Sequence, residues 1–130
     1  MSTGTWVTIT YDAESFDTDG FHSTSSNTSR ITIPTGKGGK YLINARVNID
    51  ANATGARLAR FTVNGNELFA GTETAGSSAA ACKHTMSTIQ NLSAGDYVEL
   101  LCLQNTGGNL DFVGNSTAPH NEFSVQYLGA

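Results

Sequence analysis

Hydrophobic and polar residues alternate along several short stretches of the chain, and the longest stretch covers residues 41–50. Its first set of alternate positions is Tyr41, Ile43, Ala45, Val47 and Ile49, and its second set is Leu42, Asn44, Arg46, Asn48 and Asp50. A period of two residues puts successive side chains on opposite faces of a strand. The stretch therefore predicts a strand whose first set faces a core.

A run rich in glycine and lysine, GKGGK at residues 36–40, stands just before this strand. Such a run also occurs in phosphate-binding loops, but there a Ser or Thr follows the lysine and a helix begins at once. Here Tyr41 follows Lys40, and the alternation continues with the period of a strand. The run is interpreted as a turn that enters the strand.

The same pattern predicts other strands along the chain. They cover residues 5–12, a short stretch near Gly20 to Ser23, residues 30–34, residues 59–71 as a hairpin, a strand that ends at about Leu92, and residues 97–103, 109–114 and 122–129. The hairpin is centred on Asn64-Gly65, a pair that accepts the positive φ angles of a type I′ turn. Residues 51–56 and the start of the stretch 72–87 are predicted to be loops.

About eight to ten short strands, no convincing helix and closely spaced turns indicate one all-β domain over residues 1–130. The pattern is typical of an antiparallel β-sandwich or barrel.

Composition narrows the possible partners. Only 14% of the 130 residues are charged, the formal net charge is −4, and Ser, Thr and Asn account for 40 residues. An acidic chain without a basic cluster is repelled by a phosphate backbone, so we expect no nucleic-acid partner. No apolar run reaches the roughly 20 residues of a membrane span, so we expect no membrane partner either.

Candidate catalytic chemistry is sparse. His22, His84 and His120 stand at no ligand spacing, and we interpret them as polar surface side chains with no triad and no metal. Cys82 and Cys102 are too few for a disulfide framework. Cys102 continues an apolar alternation and reads as a small buried residue, although a bridge between the two cysteines stays open as an alternative. We predict that the protein is not an enzyme and has no cofactor.

An acidic stretch, YDAESFDTDG, offers the one candidate metal site. Asp17 and Asp19 precede Gly20 in the order Asp-x-Asp-Gly, which is part of a calcium-loop pattern. The remaining ligand alternation and the distal Glu are absent, which favours a solvated acidic loop.

Two loops rich in hydroxyl and amide groups, residues 23–29 and 114–121, could contact sugars. Sugar recognition usually adds an exposed aromatic platform. The one Trp, Trp6, falls in a predicted strand, so these segments are interpreted as surface loops.

Three motifs in order resemble the tumour necrosis factor and complement globular-head superfamily. They are GGKYLINARV, LSAGDYVELLCL, and NLDF followed by NEFSVQYLGA. The resemblance covers the chain from Trp6 to Leu128. It implies a jelly roll of about ten strands that assembles as a homotrimer and acts as a binding or assembly module.

The first predicted strand begins close to Met1, so we expect a head without a stalk and do not carry over the family's signalling role. Similar heads occur among structural proteins of tailed bacteriophages, whose low-charge composition this chain shares. We expect a virion protein, assembled in the host cytoplasm, that serves as a capsid decoration (cement) trimer or head-fibre unit on the major capsid protein or another virion protein. The alternative is a receptor- or carbohydrate-binding head of a tail fibre, with a host surface glycan as partner.

The resemblance also implies where the trimer interface lies. It places outward-facing residues of three strands at the neighbouring subunits: Leu42, Asn44 and Arg46, then Glu99 and Leu101, then Glu122, Ser124, Gln126 and Leu128. Three copies of Arg46 near one axis would repel each other. We therefore expect Arg46 to pair with Glu99 or Glu122 of a neighbouring chain, the alternative being an Arg46 that reaches solvent.

Overall fold

The computed structural model describes residues 1–114 and 121–130, and the side chains of Phe69 and Ala70 are not described. Within these residues the chain forms strands and no helix. The strands are β1 (Val7–Thr8), β2 (Ile31–Thr32), β3 (Gly39–Ile49), β4 (Asn52–Val63), β5 (Asn66–Ser77), β6 (Cys82–Leu92), β7 (Tyr97–Gln104) and β8 (Glu122–Gly129). The part of the chain that the structure describes has no helix long and apolar enough to cross a membrane.

The strands form two antiparallel sheets. The five-stranded sheet has the order β1-β7-β4-β5, and β2 pairs with β7 farther along the same strand. The three-stranded sheet has the order β6-β3-β8. Three of the pairings are nested in the sequence, because β4 pairs with β5, β3 with β6 and β2 with β7.

Residues from both sheets form one hydrophobic core, an arrangement compatible with a β-sandwich. The three-stranded sheet contributes Tyr41, Ile43 and Val47, and the five-stranded sheet contributes Phe61 and Leu100, all at most 1% exposed. Alternate residues of β3 point into this core, as the sequence predicts. The predicted antiparallel all-β class is confirmed.

Turn chemistry explains the β4–β5 hairpin. Asn64 and Gly65 have φ values of 51° and 77°, both in the left-handed region that a type I′ turn requires. The Asn64 amide also donates to Asp96 at 2.8 Å, and Tyr97 N donates back to the Asn64 side chain at 3.0 Å. The hydrogen bond from the Asn64 side-chain amide lowers the pKa of the Asp96 carboxyl. The hairpin turn is thus tied to the turn before β7.

Several predicted boundaries are wrong. The first strand covers only Val7–Thr8, and no strand forms at residues 20–23. The predicted loop at 51–56 belongs mostly to β4, and most of the predicted loop after residue 71 belongs to β5 and β6. Residues 109–114 contribute only an isolated bridge between Phe112 and Ile49.

Candidate functional site

The outer face of the three-stranded sheet gathers most of the side chains that the sequence assigned to an interface. We call it the three-stranded face. It consists of Lys83, Thr85, Ser87 and Ile89 on β6, Lys40, Leu42, Asn44 and Arg46 on β3, and Glu122, Ser124, Gln126 and Leu128 on β8. On β3, on β6 and on β8 as far as Gln126 these positions alternate with inward ones, so the pleat presents them on one side. Leu128 is the extra residue at a register shift between β3 and β8, where the preceding Tyr127 is also half exposed.

One end of this face is apolar. Leu42 lies opposite Ile89 in the β3–β6 register and opposite Gln126 in the β3–β8 register, and Leu128 follows Gln126 by two positions. Ile89 is 59% exposed and Leu128 is 48% exposed, whereas Leu42 is partly buried. We call Leu42, Ile89 and Leu128 the apolar cluster.

The middle of the face is small and polar, with Ser87, Asn44 and Ser124 in one register row. The next row carries an ion pair, since Arg46 Nη2 lies 3.1 Å from Glu122 Oε2 of the same chain. Both side chains are about half exposed, so the pair is screened by water and contributes little to stability. Glu122 is therefore an intrachain partner of Arg46, where a partner in a neighbouring chain was expected.

Glu99 and Leu101 do not share this face. They lie on β7, which pairs with β4 in the other sheet, so their side chains point outward on the opposite side of the molecule. Glu99 accepts a hydrogen bond from Ser29 at 2.7 Å and pairs with Arg30 at 3.4 Å. The expected grouping of these two residues with Leu42, Arg46 and Leu128 is corrected accordingly.

The outer face of the five-stranded sheet carries two aromatic–guanidinium stacks that the sequence did not reveal. Arg60 lies 3.9 Å above the Trp6 ring and pairs with Glu67 at 2.6 Å. Arg30 lies 4.0 Å above the Tyr97 ring. Trp, Tyr and Arg are the residue types enriched in binding surfaces. The only signal in the sequence was the single Trp6, because its neighbours are decided by the registers in which β1 and β4 pair with β7.

The acidic stretch folds into a structured loop, which we call the acidic loop (residues 12–19). The Asp17 carboxylate accepts hydrogen bonds from Phe21 N at 2.9 Å and His22 N at 3.0 Å. Burial alone would raise the pKa of Asp17, but the backbone N–H groups around it outweigh burial and lower that pKa. Asp19 pairs instead with Lys37 at 3.1 Å.

The two calcium candidates therefore have separate partners, Asp17 within its own loop and Asp19 across to Lys37. Among the residues that the structure describes, no three His, Cys, Asp or Glu side chains converge as a metal site would require.

The histidines lie apart. The His22 side chain is 11% exposed, and its ring contacts Glu14 at 2.9 Å and the Thr28 carbonyl at 3.0 Å. The expected surface position is wrong for His84, which is 2% exposed because alternate residues of β6 face inward, and its Nδ1 atom lies 2.6 Å from Thr72 Oγ1. His120 and most of the predicted sugar-contacting segment 114–121 lie outside the described residues. The other such segment, 23–29, borders a shallow groove lined by Phe21, His22, Ser26 and Arg30.

Cys82 and Cys102 are free thiols, so the alternative of a disulfide between them is wrong. Cys102 is fully buried on the inner side of β7, and burial raises the pKa of its thiol to about 12. A thiol of such high pKa is not a nucleophile at neutral pH. Cys102 is a core residue, as its place in the apolar alternation predicted.

The glycine-lysine run forms the turn before β3, as predicted. Gly36 has a φ of 78°, and the Tyr41 hydroxyl donates to the Lys37 carbonyl. Gly39 approaches β8 so closely that a Cβ atom there would lie 2.6 Å from the Gly129 carbonyl oxygen. The glycine at that position permits strand pairing.

No protein-family model matches this chain, and no curated protein matches it.

Proposed function

We propose that the protein is a non-enzymatic structural subunit that assembles as a homotrimer through its three-stranded face. The observation that carries the proposal is the apolar cluster. Ile89 and Leu128 are about half exposed on the three-stranded sheet, in a chain of which only 14% is charged and 38% is hydrophobic. Adjoining exposed apolar side chains bordered by polar ones are typical of a protein–protein contact.

The proposal extends to the fold, which we infer to be a jelly roll. A jelly roll forms when an antiparallel ribbon folds over so that consecutive strand pairs alternate between two sheets. Three features of the strand order support this. The pairs β4–β5 and β2–β7 lie in one sheet, the intermediate pair β3–β6 lies in the other, and the closing strand β8 joins β3.

We propose the virion of a tailed bacteriophage as the setting, with the trimer as a capsid decoration or head-fibre unit on the major capsid protein. This part rests on the resemblance of the GGKYLINARV, LSAGDYVELLCL and NEFSVQYLGA motifs and on the low-charge composition rich in Ser, Thr and Asn.

Sedimentation equilibrium tests the trimer. The parent protein is expected at about three times 13.6 kDa. Ile89→Asp puts a charge into the proposed interface and should raise the dissociation constant about 100-fold or more, because an unpaired buried charge is costly. Ile89 is 59% exposed in the single chain, so the variant should keep its fold.

Ser78→Asp is the matched control, since it adds the same charge at an exposed position between β5 and β6. It should sediment like the parent. A monomeric parent at micromolar concentration, or a trimeric Ile89→Asp variant, would contradict the proposed interface.

A receptor- or glycan-binding head is the second candidate, and the Trp6–Arg60 and Tyr97–Arg30 stacks favour it. Aromatic rings with neighbouring charged hydrogen-bonding groups suit sugar recognition. One binding assay separates the candidates, with capsid shells that lack the protein and host-surface glycans as alternative targets. A decoration protein should bind the shells and raise their melting temperature, because a ligand of the intact state stabilises that state. Glycan binding that is lost in Trp6→Ala, without shell binding, would support the second candidate.

A further inference from the structure

We propose that Asn64 is a site of spontaneous deamidation, and that the folded turn between β4 and β5 restrains the reaction. Deamidation then marks chains in which this turn has opened. The proposal concerns the hairpin end of the five-stranded sheet and does not depend on the trimer.

The sequence around Asn64 favours the reaction. Asn64-Gly65 is the one place in the chain where a glycine follows an asparagine. The backbone nitrogen that follows an asparagine can attack the Cγ atom of the asparagine side chain. A glycine nitrogen does so fastest, because glycine has no Cβ atom to obstruct the attack. Both residues are exposed, so water reaches the turn.

The chemistry of the site has two steps. Gly65 N loses its proton and forms a bond to Asn64 Cγ, while the bond from Cγ to Nδ2 breaks and ammonia leaves. The product is a cyclic succinimide. Water then opens the ring at either of its two carbonyls and leaves aspartate or isoaspartate at position 64. Water is the only co-reactant, and nothing is oxidised or reduced.

The folded turn restrains the attack by holding the side-chain amide at both polar atoms. Asn64 Nδ2 donates to Asp96 Oδ1 at 2.8 Å, and Asn64 Oδ1 accepts from Tyr97 N at 3.0 Å. Asp96 is itself held, since its Oδ2 atom accepts from Ser93 N at 2.7 Å. An amide bonded at both ends is not free to rotate toward Gly65 N. The rate of deamidation therefore follows the population of chains in which the turn is open.

The product cannot restore the tie between the two turns. Aspartate at position 64 has no side-chain N–H for Asp96, and it puts a second carboxylate where the amide now lies 2.8 Å away. The hydrogen bond from the Asn64 amide lowers the pKa of Asp96, so Asp96 is charged at neutral pH and the two carboxylates repel each other. Isoaspartate adds a methylene group to the backbone of a two-residue turn that requires a φ of 51° at this position.

Mass spectrometry tests the site. The protein is incubated at mildly alkaline pH, in buffer and in guanidinium chloride above its unfolding midpoint, and the tryptic peptide of residues 61–83 is followed for conversion of amide to acid. We expect acid at Asn64 to form about 10-fold or more faster in the unfolded chain, because two hydrogen bonds, one of them to a charged group, contribute roughly that factor. Asn66, in the same peptide, precedes Glu67 and is the internal control that should stay an amide.

A variant of the restraining residue tests the mechanism. Asp96→Asn removes the charged acceptor of the Asn64 amide. It should raise the rate in the folded protein several-fold and leave the rate in the unfolded chain unchanged. Asp50→Asn is the matched control, because it removes the same charge at an exposed position after β3, and it should react like the parent. Urea unfolding at the same pH checks that both variants are folded during the incubation.

A second pair of variants tests the consequence of the reaction. Asn64→Asp reproduces one product and should have a lower urea midpoint than the parent at neutral pH. Asn66→Asp adds the same charge two positions away and should lower the midpoint less.

Each measurement can contradict one step of the proposal. No acid at Asn64 in the unfolded chain would overturn the site, and equal rates in the folded and unfolded parent would overturn the restraint. An Asp96→Asn variant that reacts like the parent would show that Asp96 does not hold the amide. An Asn64→Asp variant as stable as the parent would show that the turn tolerates the product.

Discussion

His84 is a buried histidine of which only one ring nitrogen has a hydrogen-bond partner. Its Nδ1 atom lies 2.6 Å from Thr72 Oγ1, and its Nε2 atom has no hydrogen-bond partner within the described structure. Protonation would place a positive charge and a second N–H in the core. Burial accordingly lowers the pKa of His84 below its usual 6.5.

This lowered pKa predicts a loss of stability in mild acid. Below pH 6.5 the unfolded chain takes up a proton at His84 that the folded chain does not. The free energy of unfolding therefore decreases as the pH decreases, until the pH reaches the pKa of His84 in the folded state. Above pH 6.5 this contribution is fully present. The slope from one such group is at most about 1.4 kcal/mol per pH unit. Urea unfolding between pH 5 and 8 measures it.

Two variants identify the source of that pH dependence. His84→Gln should lose most of it, even if the variant is less stable at every pH. His22→Gln removes a histidine in another part of the molecule, where its ring contacts Glu14 and the Thr28 carbonyl, and should leave the contribution of His84 in place. An unchanged slope in His84→Gln would show that other groups are responsible.

Arg57 illustrates a residue whose position could not be predicted from its type. Arginine is rarely buried, yet Arg57 is 0% exposed and points inward from β4. Its guanidinium donates to the carbonyls of Thr54 and Asn52 at 2.9 and 2.8 Å. The guanidinium cation is stabilised by main-chain oxygens from the start of its own strand. No sequence pattern predicts such a contact.

The irregular start of β4 depends on a glycine in the neighbouring strand. Pairing between β4 and β5 shifts register between Asn52 and Ala56. Gly76 of β5 faces this region, and a Cβ atom there would lie 2.5 Å from the Asn52 carbonyl oxygen and 2.9 Å from that of Thr54. These are the oxygens that hold Arg57, so the glycine leaves room for the arginine contact.

Gly76→Ala should therefore destabilise the protein by about 1–3 kcal/mol, the cost of overpacking. The effect is steric, because the φ of Gly76 lies outside the region that favours glycine. Gly108→Ala is the matched control, since its Cβ would meet nothing within 4 Å and its φ is likewise ordinary. It should change stability by less than about 0.5 kcal/mol. Equal urea midpoints for the two variants would contradict this account.

At the scale of elements, strands with one buried face were predictable and strands without one were not. β3 and β7 follow the predicted alternation, and β8 follows it as far as Gln126. Tyr127, which the alternation places inward, is 50% exposed because the register between β3 and β8 shifts there. In contrast, the stretch from Gly71 to Ala75 is mostly exposed, has no large apolar residue, and is held in β5 by backbone pairing with β4. Backbone hydrogen bonds leave no hydrophobic period in a sequence, so the second half of β5 was interpreted as a loop.

At the scale of the whole molecule, the alternation of hydrophobic and polar residues predicts which side chains face the core and which face outward. It does not predict to which of the two sheets a strand belongs. Leu42 and Leu101 are both outward positions of regular strands, and they lie on opposite sides of the molecule because β3 and β7 belong to different sheets. Strand pairing between distant segments decides this, and a single sequence holds little information on it. The sequence therefore predicted only part of the candidate interface. The outward residues of β3 and β8 do share one face, but those of β7 lie in the other sheet.

The nested pairing of strands also has a consequence for the order of folding. β4 and β5 are joined by a tight turn and can pair first, with a small loss of chain entropy. That hairpin brings β3 close to β6, and the new pair brings β2 close to β7, so each step shortens the loop that the next must close. β7 and β8 complete their sheets last in chain order, against β1 and β3. In a chain that is still emerging from the ribosome, β4 can therefore pair with β5, and β3 with β6. The five-stranded sheet cannot be completed until β7 (residues 97–104) has been made, because β1, β2 and β4 all pair with β7.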